Sequence, residues 1–154
     1  MQKRCSVSIK LKNDLLYDYI KSLLGLPYRW GGSNPIKGFD CSGLVIECFQ
    51  AIGILKHGYD NTSQGLHDEM LGRCLKIVEN PPFGAVCFFG KNIKEVGHVG
   101  LSLGCGLMVE AGGGDKHTTD KGEAGKRNAF VRIRPYNYRK DYLYSLTHAA
   151  SYFD

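Results

Sequence analysis

The stretch Phe39-Asp40-Cys41-Ser42-Gly43-Leu44-Val45 decides the fold. It places a cysteine where a glycine-rich, aromatic loop, residues 28–32, gives way to apolar residues at helical spacing. Asp40 is a typical N-cap residue, so we predict a helix that begins at Cys41 and is closed by Gly53. A thiol at a helix N-terminus lies beside unsatisfied N–H groups and the positive end of the helix dipole, which favour the thiolate. We therefore expect Cys41 to be an exposed, reactive thiol.

A histidine further along the chain supplies a partner for this thiol. His98 lies in Gly97-His98-Val99-Gly100, within a predicted strand whose glycines leave the backbone open to close approach. A cysteine on a helix N-terminus and a histidine on a strand form the papain-like arrangement for nucleophilic attack on an amide. The remaining histidines lack such a setting, and we interpret them as solvated or structural: His57, His67, His117 and His148.

A third member of the site follows from hairpin geometry. Gly104-Cys105-Gly106 is predicted to join two strands, and pairing Leu103 with Leu107 places Glu110 diagonal to His98 on the same face. A slip of two residues would place Glu110 directly opposite. In both registers the carboxylate can accept the second N–H of the imidazole. We predict that Glu110 is catalytic; the alternative is an exposed strand glutamate without a role.

Other residues flank the nucleophile. The Tyr28 hydroxyl could point into the cleft beside an oxyanion held by the Cys41 backbone N–H, or the ring could simply pack. Asp40 has a sufficient structural role as an N-cap, and function and structure weigh equally for it. Ser42, with the glycine after it, provides room for a substrate backbone. We expect Trp30 to pack under the loop.

Composition bounds the class of protein. The chain has 154 residues, 43% of them hydrophobic and 23% charged, which is typical of a globular protein, and we predict one domain over residues 1–154 with a core at about 13–135. The net charge of +5 is scattered, so we expect no nucleic-acid partner.

The cysteines do not indicate a metal site. Cys48, Cys74 and Cys87 lie in apolar runs and are interpreted as small core residues. The chain contains no CxxC pair, so we expect no zinc, no other metal and no cofactor.

The first residues carry no targeting pattern. Residues 1–12 lack the apolar segment of a signal peptide, and no apolar run is as long as a membrane span. We therefore expect a protein that is made in the cytoplasm, does not insert into a membrane and does not use the general secretory route by itself.

The periodicity changes from helical to strand-like along the chain. Predicted helices run from a cap at Asn13 or Asp14 to about Leu24, from Cys41, and over about 62–71, with a polar loop over 112–128. Predicted strands follow at 74–78, 85–89, 98–103, 107–111, 129–134 and 143–148. Helices first and strands after predict an α+β domain in which an antiparallel sheet packs against N-terminal helices.

Three ordered motifs, Tyr28-Arg29-Trp30-Gly31-Gly32, Asp40-Cys41-Ser42-Gly43-Leu44-Val45 and Gly97-His98-Val99-Gly100, resemble the NlpC family of cell-wall cysteine peptidases. The resemblance implies a papain-like core and hydrolysis of peptidoglycan stem peptides, usually between D-γ-glutamate and diaminopimelate or lysine. It also implies that Cys41 is the nucleophile and His98 the general base. Tyr28, Asp40 and Ser42 match positions that line the site. The third position is commonly histidine or another polar residue in the family, whereas here it is Glu110.

Alternatives to this hypothesis remain open. The same Cys–His pair could serve an amidase or an acyltransferase, since a fold does not fix a substrate. The chain could also be a non-catalytic wall-binding or phage-tail module. Many relatives carry export signals and wall-binding repeats, and we expect neither in this sequence. We therefore favour a phage or prophage version of the family, with phage tail or lysis proteins as partners. We expect it to be virion-associated or to reach the wall by another route.

Overall fold

A computed structural model of the protein describes residues 9–77 and 79–148. Its helices are α1 (Ile9–Leu23), α2 (Cys41–Ala51), α3 (Ser63–Leu71) and α4 (Lys121–Lys126). Its strands are β1 (Ser33–Asn34), β2 (Gly38–Phe39), β3 (Cys74–Ile77), β4 (Val86–Gly90), β5 (Val96–Gly104), β6 (Leu107–Gly112), β7 (Phe130–Pro135) and β8 (Tyr142–His148).

The strands form two antiparallel sheets. β1 and β2 make a small hairpin just before the nucleophile helix. The other six make one sheet in the order β3-β8-β4-β5-β6-β7, in which every neighbouring pair is antiparallel. This arrangement confirms the predicted α+β class with helices packed on an antiparallel sheet.

The sheet has a helix-covered face and an opposite face. Leu16 of α1 and Leu44 of α2 share the main core with Val99 and Val109 of the sheet, all at most 1% exposed. Because side chains alternate along a strand, the neighbours of these residues point the other way. There, a second cluster contains Cys87, Phe89 and Met108 with Tyr136 and Tyr142 packed against it. The candidate site combines the helices and the sheet, since its cysteine comes from helix α2 and its histidine from strand β5.

Helix α2 begins as its sequence predicts. Asp40 is the N-cap, in extended conformation, and its side chain accepts the backbone N–H of Gly43. At the other end Ile52 is the C-cap and Gly53 follows with φ of 76°, a left-handed conformation that glycine adopts without strain. Over the buried face, Val45, Cys48 and Phe49 are fully inaccessible.

Two helix predictions were wrong. α1 begins at Ile9, one turn before the predicted caps Asn13 and Asp14, which instead lie on the outer side of a continuing helix where polar residues cost little. The predicted loop over 112–128 contains α4. Its N-cap is Asp120, which accepts the Glu123 N–H, and its Ala124 is fully buried. A single buried alanine in a polar segment leaves no helical hydrophobic period to detect.

The six predicted strands all occur, in the predicted order, with shifts at the ends. Each of β3 to β8 overlaps its predicted range, although Val78, the predicted end of the first of them, lies outside the described residues. The two-residue strands β1 and β2 were not predicted, because they are too short to show an alternation.

Candidate active site

The nucleophile loop is held to helix α2 through Asp40. One carboxylate oxygen accepts the N–H of Gly43 at 2.7 Å and the other accepts the N–H of Gly31 at 3.0 Å. The Ser42 hydroxyl donates to the same carboxylate at 3.2 Å. Burial raises the pKa of Asp40 above its usual value, although these hydrogen bonds act in the opposite direction. The observed position of Asp40 is therefore that of a structural clamp at the rim of the site.

Glycines allow the loop and the helix to touch. A Cβ on Gly43 would lie 2.0 Å from the Gly32 carbonyl oxygen, and a Cβ on Gly32 would lie 2.4 Å from that of Gly38. Neither approach is possible with a larger residue. These contacts explain the glycines at positions 32 and 43, whereas Gly31 has φ of 70°, a left-handed conformation that favours glycine.

Cys41 lies at the floor of a cleft rather than on an open surface. Only 8% of the surface of Cys41 is exposed, so the expectation of an exposed thiol was wrong. The Ser63 hydroxyl of α3 lies 3.2 Å from its Sγ, and this residue covers part of the thiol that the loop leaves open. Burial alone would raise the pKa of the thiol. The hydrogen bond and charge of His98, with the hydrogen bond of Ser63, outweigh burial and hold the pKa of Cys41 below its ordinary value.

The imidazole of His98 lies between the thiol and a carboxylate. Its Nε2 is 2.6 Å from Oε2 of Glu110, and it lines the same cleft as Cys41, whose side chain helps to raise the pKa of the imidazole. Because Nε2 faces the carboxylate, Nδ1 is the nitrogen left for the thiol. Burial would lower the pKa of His98, but the hydrogen bonds to Cys41 and Glu110 raise it to about 9. A thiol with a lowered pKa beside an imidazole with a raised pKa favours a thiolate–imidazolium pair.

The β5–β6 hairpin sets this geometry in the predicted register. Ser102 pairs with Met108 and Leu101 with Val109. At the turn the prediction was wrong, since Leu107 pairs with Gly104 rather than Leu103 across a register shift. Cys105 in the turn has φ of 52°, and this tight reversal absorbs the extra residue. The shift lies at the far end of the hairpin, so it does not separate Glu110 from His98.

Glu110 is fully buried, which excludes the alternative of an exposed strand glutamate. The Tyr138 hydroxyl donates to it at 2.9 Å, and Nε of Arg134 lies 3.3 Å from Oε1. Burial would raise the pKa of Glu110, but His98, Tyr138 and Arg134 together keep it below its usual value. The catalytic role of Glu110 stays a prediction, but its position fits that role.

The cleft above the thiol has a volume of about 600 Å³. Tyr28, Trp30, Asp40, Ser42, Ser63 and Arg139 are among its lining residues. The Tyr28 ring is packed, with Gly114 so close that a Cβ there would lie 2.2 Å from it. Burial and the nearby Cys41 and Asp40 raise the pKa of its hydroxyl, which keeps it protonated.

Trp30 does not pack under the loop, as was expected, but is 55% exposed at the cleft wall. Its backbone N–H donates to the Thr118 carbonyl at 2.7 Å, which fixes the loop from the side of the 112–128 segment. The main chain is thus anchored while the indole stays at the surface. The prediction failed because a glycine-rich loop gives no periodicity from which to tell an inward from an outward side chain.

Sequence reasoning missed Ser63, Arg139 and Tyr138. Ser63 is the first residue of α3 and lies at the start of the predicted helix, a position that carries no sign of contact with a cysteine in another helix. Arg139 and Tyr138 lie between β7 and β8, in a segment whose sequence is typical of a polar turn. Only the strand order, which places β8 beside β4, brings this segment near the site.

The other histidines lie apart from this cluster. His57 and His117 are exposed, and His67 is fully buried. The His67 Nε2 is 2.6 Å from the Tyr144 hydroxyl and its Nδ1 is 2.9 Å from Asp68, which is a structural setting. The side chain of His148 lies outside the described residues.

Within residues 9–77 and 79–148, no three His, Cys, Asp or Glu side chains group as metal ligands. In the same residues no helix has the length and apolar character needed to span a membrane. Cys41, Cys48, Cys87 and Cys105 are free thiols.

Comparison with known proteins agrees with the resemblance of the cysteine and histidine motifs to the NlpC family. The model of the NlpC/P60 family matches residues 25–134. The bifunctional muramidase/DL-endopeptidase CwlT of Bacillus subtilis is 44% identical over 90 residues, which are 56% of this chain and 25% of that protein. The chain therefore spans about a quarter of the length of that relative.

Solved structures share the fold at lower identity. An NlpC/P60 family protein from Bacillus cereus has a TM-score of 0.67 and 23% identity, over 88% of this chain and 40% of that one. RipD of Mycobacterium tuberculosis, described as a non-catalytic NlpC/p60 domain protein adapted to peptidoglycan binding, has a TM-score of 0.64 and 21% identity, over 88% of this chain and 96% of that one. The family match covers the nucleophile loop, α2 and the hairpin with His98 and Glu110, and the chain belongs to the NlpC/P60 family.

Proposed function

We propose that this protein is a cysteine endopeptidase that hydrolyses peptidoglycan stem peptides, at the bond from D-γ-glutamate to diaminopimelate or lysine. The observation that carries the proposal is the juxtaposition of Cys41 and His98 in one open cleft, with the His98 imidazole bound to the buried Glu110 carboxylate. The name of CwlT, a DL-endopeptidase, supports the choice of bond.

The chemistry follows from the order of these groups. The Cys41 thiolate attacks the carbonyl carbon, and the oxyanion that forms lies by the first N–H groups of α2, which have no partner within the helix. The His98 imidazolium then gives its proton to the leaving amine, and a thioester remains on Cys41. A water molecule, deprotonated by His98, hydrolyses the thioester and restores the thiol.

Charges in the cleft support a substrate that carries both signs. Asp40, Asp60, Asp115 and Arg139 are among the residues that line the cleft. Stem peptides carry free amino and carboxylate groups on either side of the γ-glutamyl bond. A cleft with both acidic and basic lining residues therefore suits such a peptide better than an uncharged acyl substrate.

The experiment is digestion of purified peptidoglycan and of defined stem peptides, with the new termini identified by mass spectrometry. We expect a new amino terminus on diaminopimelate or lysine, and none with Cys41→Ala. Transfer of the acyl group to an added amine in place of water would support the acyltransferase alternative.

Binding without cleavage would instead support a wall-binding module of the kind named for RipD. A pure binder has no need of a thiol, an imidazole and a buried carboxylate in contact. Partnership with phage tail or lysis proteins, and a virion-associated location, stay predictions.

A further inference from the structure

The connection between β7 and β8 lies next to Glu110, the third member of the candidate triad Cys41, His98 and Glu110. This segment, residues 136–141, begins after residue 134, where the match to the family model ends. Its residue Tyr136 packs beside Phe89 and Met108 on the sheet face opposite the helices. The connection thus borders Glu110 through Tyr138 and reaches the substrate cleft only through Arg139.

Tyr138 of this connection contacts the buried carboxylate directly. Its hydroxyl donates to Glu110 at 2.9 Å from Oε1 and 3.2 Å from Oε2. The Glu110 carboxylate thereby has a second donor besides His98, whose Nε2 lies 2.6 Å from Oε2. With a partner for each oxygen, the carboxylate plane is fixed rather than free to rotate.

Arg134 is the third side chain that approaches the Glu110 carboxylate, after His98 and Tyr138. Its Nε lies 3.3 Å from Oε1 of Glu110, and its guanidinium lies 4.6 Å from the centre of the Tyr138 ring. The Nε atom is buried and makes no hydrogen bond to a described residue, so its contribution to Glu110 is that of a close positive charge. The tyrosine ring in turn holds the guanidinium through a cation–π contact.

The contacts of Tyr138 and Arg134 with Glu110 stabilise the negative charge of a buried carboxylate. A carboxylate without solvent exposure is costly to keep charged, and it takes up a proton unless donors and positive charges surround it. A neutral Glu110 would no longer favour the imidazolium form of His98. His98 alone cannot solve this problem, because its own charge depends on the carboxylate.

We propose that Tyr138, assisted by Arg134, is a positioning residue that keeps Glu110 ionised and directed at His98, and thereby sustains the Cys41 thiolate. This inference rests on the proposed cysteine chemistry and adds to it a support from outside the matched family region. Tyr138 acts through Glu110 and touches neither the thiol nor the substrate cleft.

The charged and titratable groups around the pair act as follows. Cys41 from α2 and Asp141 from the connection favour the imidazolium of His98. Arg139 from the connection and Arg134 from β7 carry positive charge near Glu110. Arg132, the cross-strand neighbour of Glu110, directs its guanidinium to the backbone carbonyls of Gly112 and Asn128. Removal of the Tyr138 hydroxyl leaves all of these charges in place, which makes it a clean test.

The test is the pH dependence of alkylation of Cys41 by iodoacetamide, followed on the Cys41 peptide by mass spectrometry, in wild type, Tyr138→Phe and Arg134→Gln. We expect the midpoint to move to higher pH in both variants, and the rate at pH 6 to fall by about 3- to 30-fold. Tyr136→Phe, in the same connection but away from Glu110, is the matched control and should behave as wild type. The pH profile of kcat/KM should move with the alkylation midpoint.

An unchanged midpoint in folded Tyr138→Phe and Arg134→Gln, with or without a lower melting temperature, would overturn the proposal, because a structural role alone does not move a thiol titration. If Tyr138→Phe does not fold, Arg134→Gln decides. Alkylation needs no substrate, so the two proposals fail separately. Absence of peptidoglycan cleavage with a shifted midpoint rejects only the proposed function, and cleavage with an unshifted midpoint rejects only the role of Tyr138.

Discussion

The Sγ of Cys41 lies 3.2 Å from the hydroxyl of Ser63, which belongs to a different helix. The nucleophile therefore has two polar neighbours, the imidazole of His98 on the sheet and this hydroxyl on α3. A hydroxyl that donates to sulfur favours the thiolate, because hydrogen bonds to a charged form lower its energy.

We expect Ser63→Ala to raise the pKa of Cys41 and to slow its alkylation below that pKa by about 3- to 10-fold. Thr62, the N-cap of α3, is retained, so the helix should form normally. The exposed Cys105 in the same sample is an internal control, since its alkylation rate should not change. Equal rates for Cys41 in wild type and variant at every pH would show that the Ser63 contact does not stabilise the thiolate.

Cys41 should be alkylated well before the buried Cys48 and Cys87 and the half-buried Cys74. Burial raises the pKa of Cys74 and of Cys87 to about 11 and that of Cys48 still further, while the pKa of Cys41 is lowered. Mass spectrometry of peptides after short exposure to iodoacetamide measures the order. Similar labelling rates for Cys41 and Cys48 in the folded protein would contradict a low-pKa nucleophile.

Cys41→Ala should abolish hydrolysis with little change in melting temperature. The substitution removes one sulfur atom at the cleft floor and leaves the Asp40 cap and the glycine contacts of the loop intact. Turnover and thermal unfolding, measured on the same preparation, give the two results. Retention of wild-type turnover would reject the enzymatic proposal as a whole.

His98 and His67 should respond differently to substitution by alanine. His98→Ala should lose activity almost as fully as Cys41→Ala, because nucleophile and base act as a unit. His67→Ala should keep the chemistry but lower the free energy of unfolding by about 1–3 kcal/mol, since the buried Tyr144 hydroxyl loses its partner at 2.6 Å. Denaturant unfolding and turnover separate the two effects. A stable, inactive His67→Ala would show that the structural interpretation of His67 is wrong.

The sequence predicts the local features of this site better than the distant ones. The helix start at Cys41 with its Asp40 cap, and the His98–Glu110 register, depend on capping chemistry and on strand alternation, which are readable within a few residues. Ser63 and Tyr138 reach the site only through tertiary packing of α3 and of the β7–β8 connection. No local pattern encodes those contacts.

Burial was the property predicted least well. Cys41 is nearly inaccessible and Trp30 is exposed, the reverse of expectation in both cases. The helix terminus is open to solvent only until another element packs over it, and here α3 supplies Ser63. A loop side chain is buried or exposed according to which neighbour covers it, and the neighbours of Trp30 come from the segment around Thr118.

Glu110→Gln tests the charge of the third residue. Glutamine keeps the size and one acceptor oxygen of Glu110 but removes the charge that helps to raise the pKa of His98 to about 9. We expect turnover to fall by about 10- to 1,000-fold, less than for loss of the nucleophile, because positioning groups contribute less than the unit they orient.

The pH profile of Glu110→Gln should narrow from both sides. The active thiolate–imidazolium pair exists above the pKa of Cys41 and below the pKa of His98. Without the carboxylate the imidazolium is less stable, so the pKa of His98 falls and the alkaline limb moves to lower pH. A less charged imidazole stabilises the thiolate less, so the pKa of Cys41 rises and the acidic limb moves to higher pH. A profile of wild-type width would mean that another group or water orients His98, and that burial of Glu110 between His98, Tyr138 and Arg134 serves stability alone.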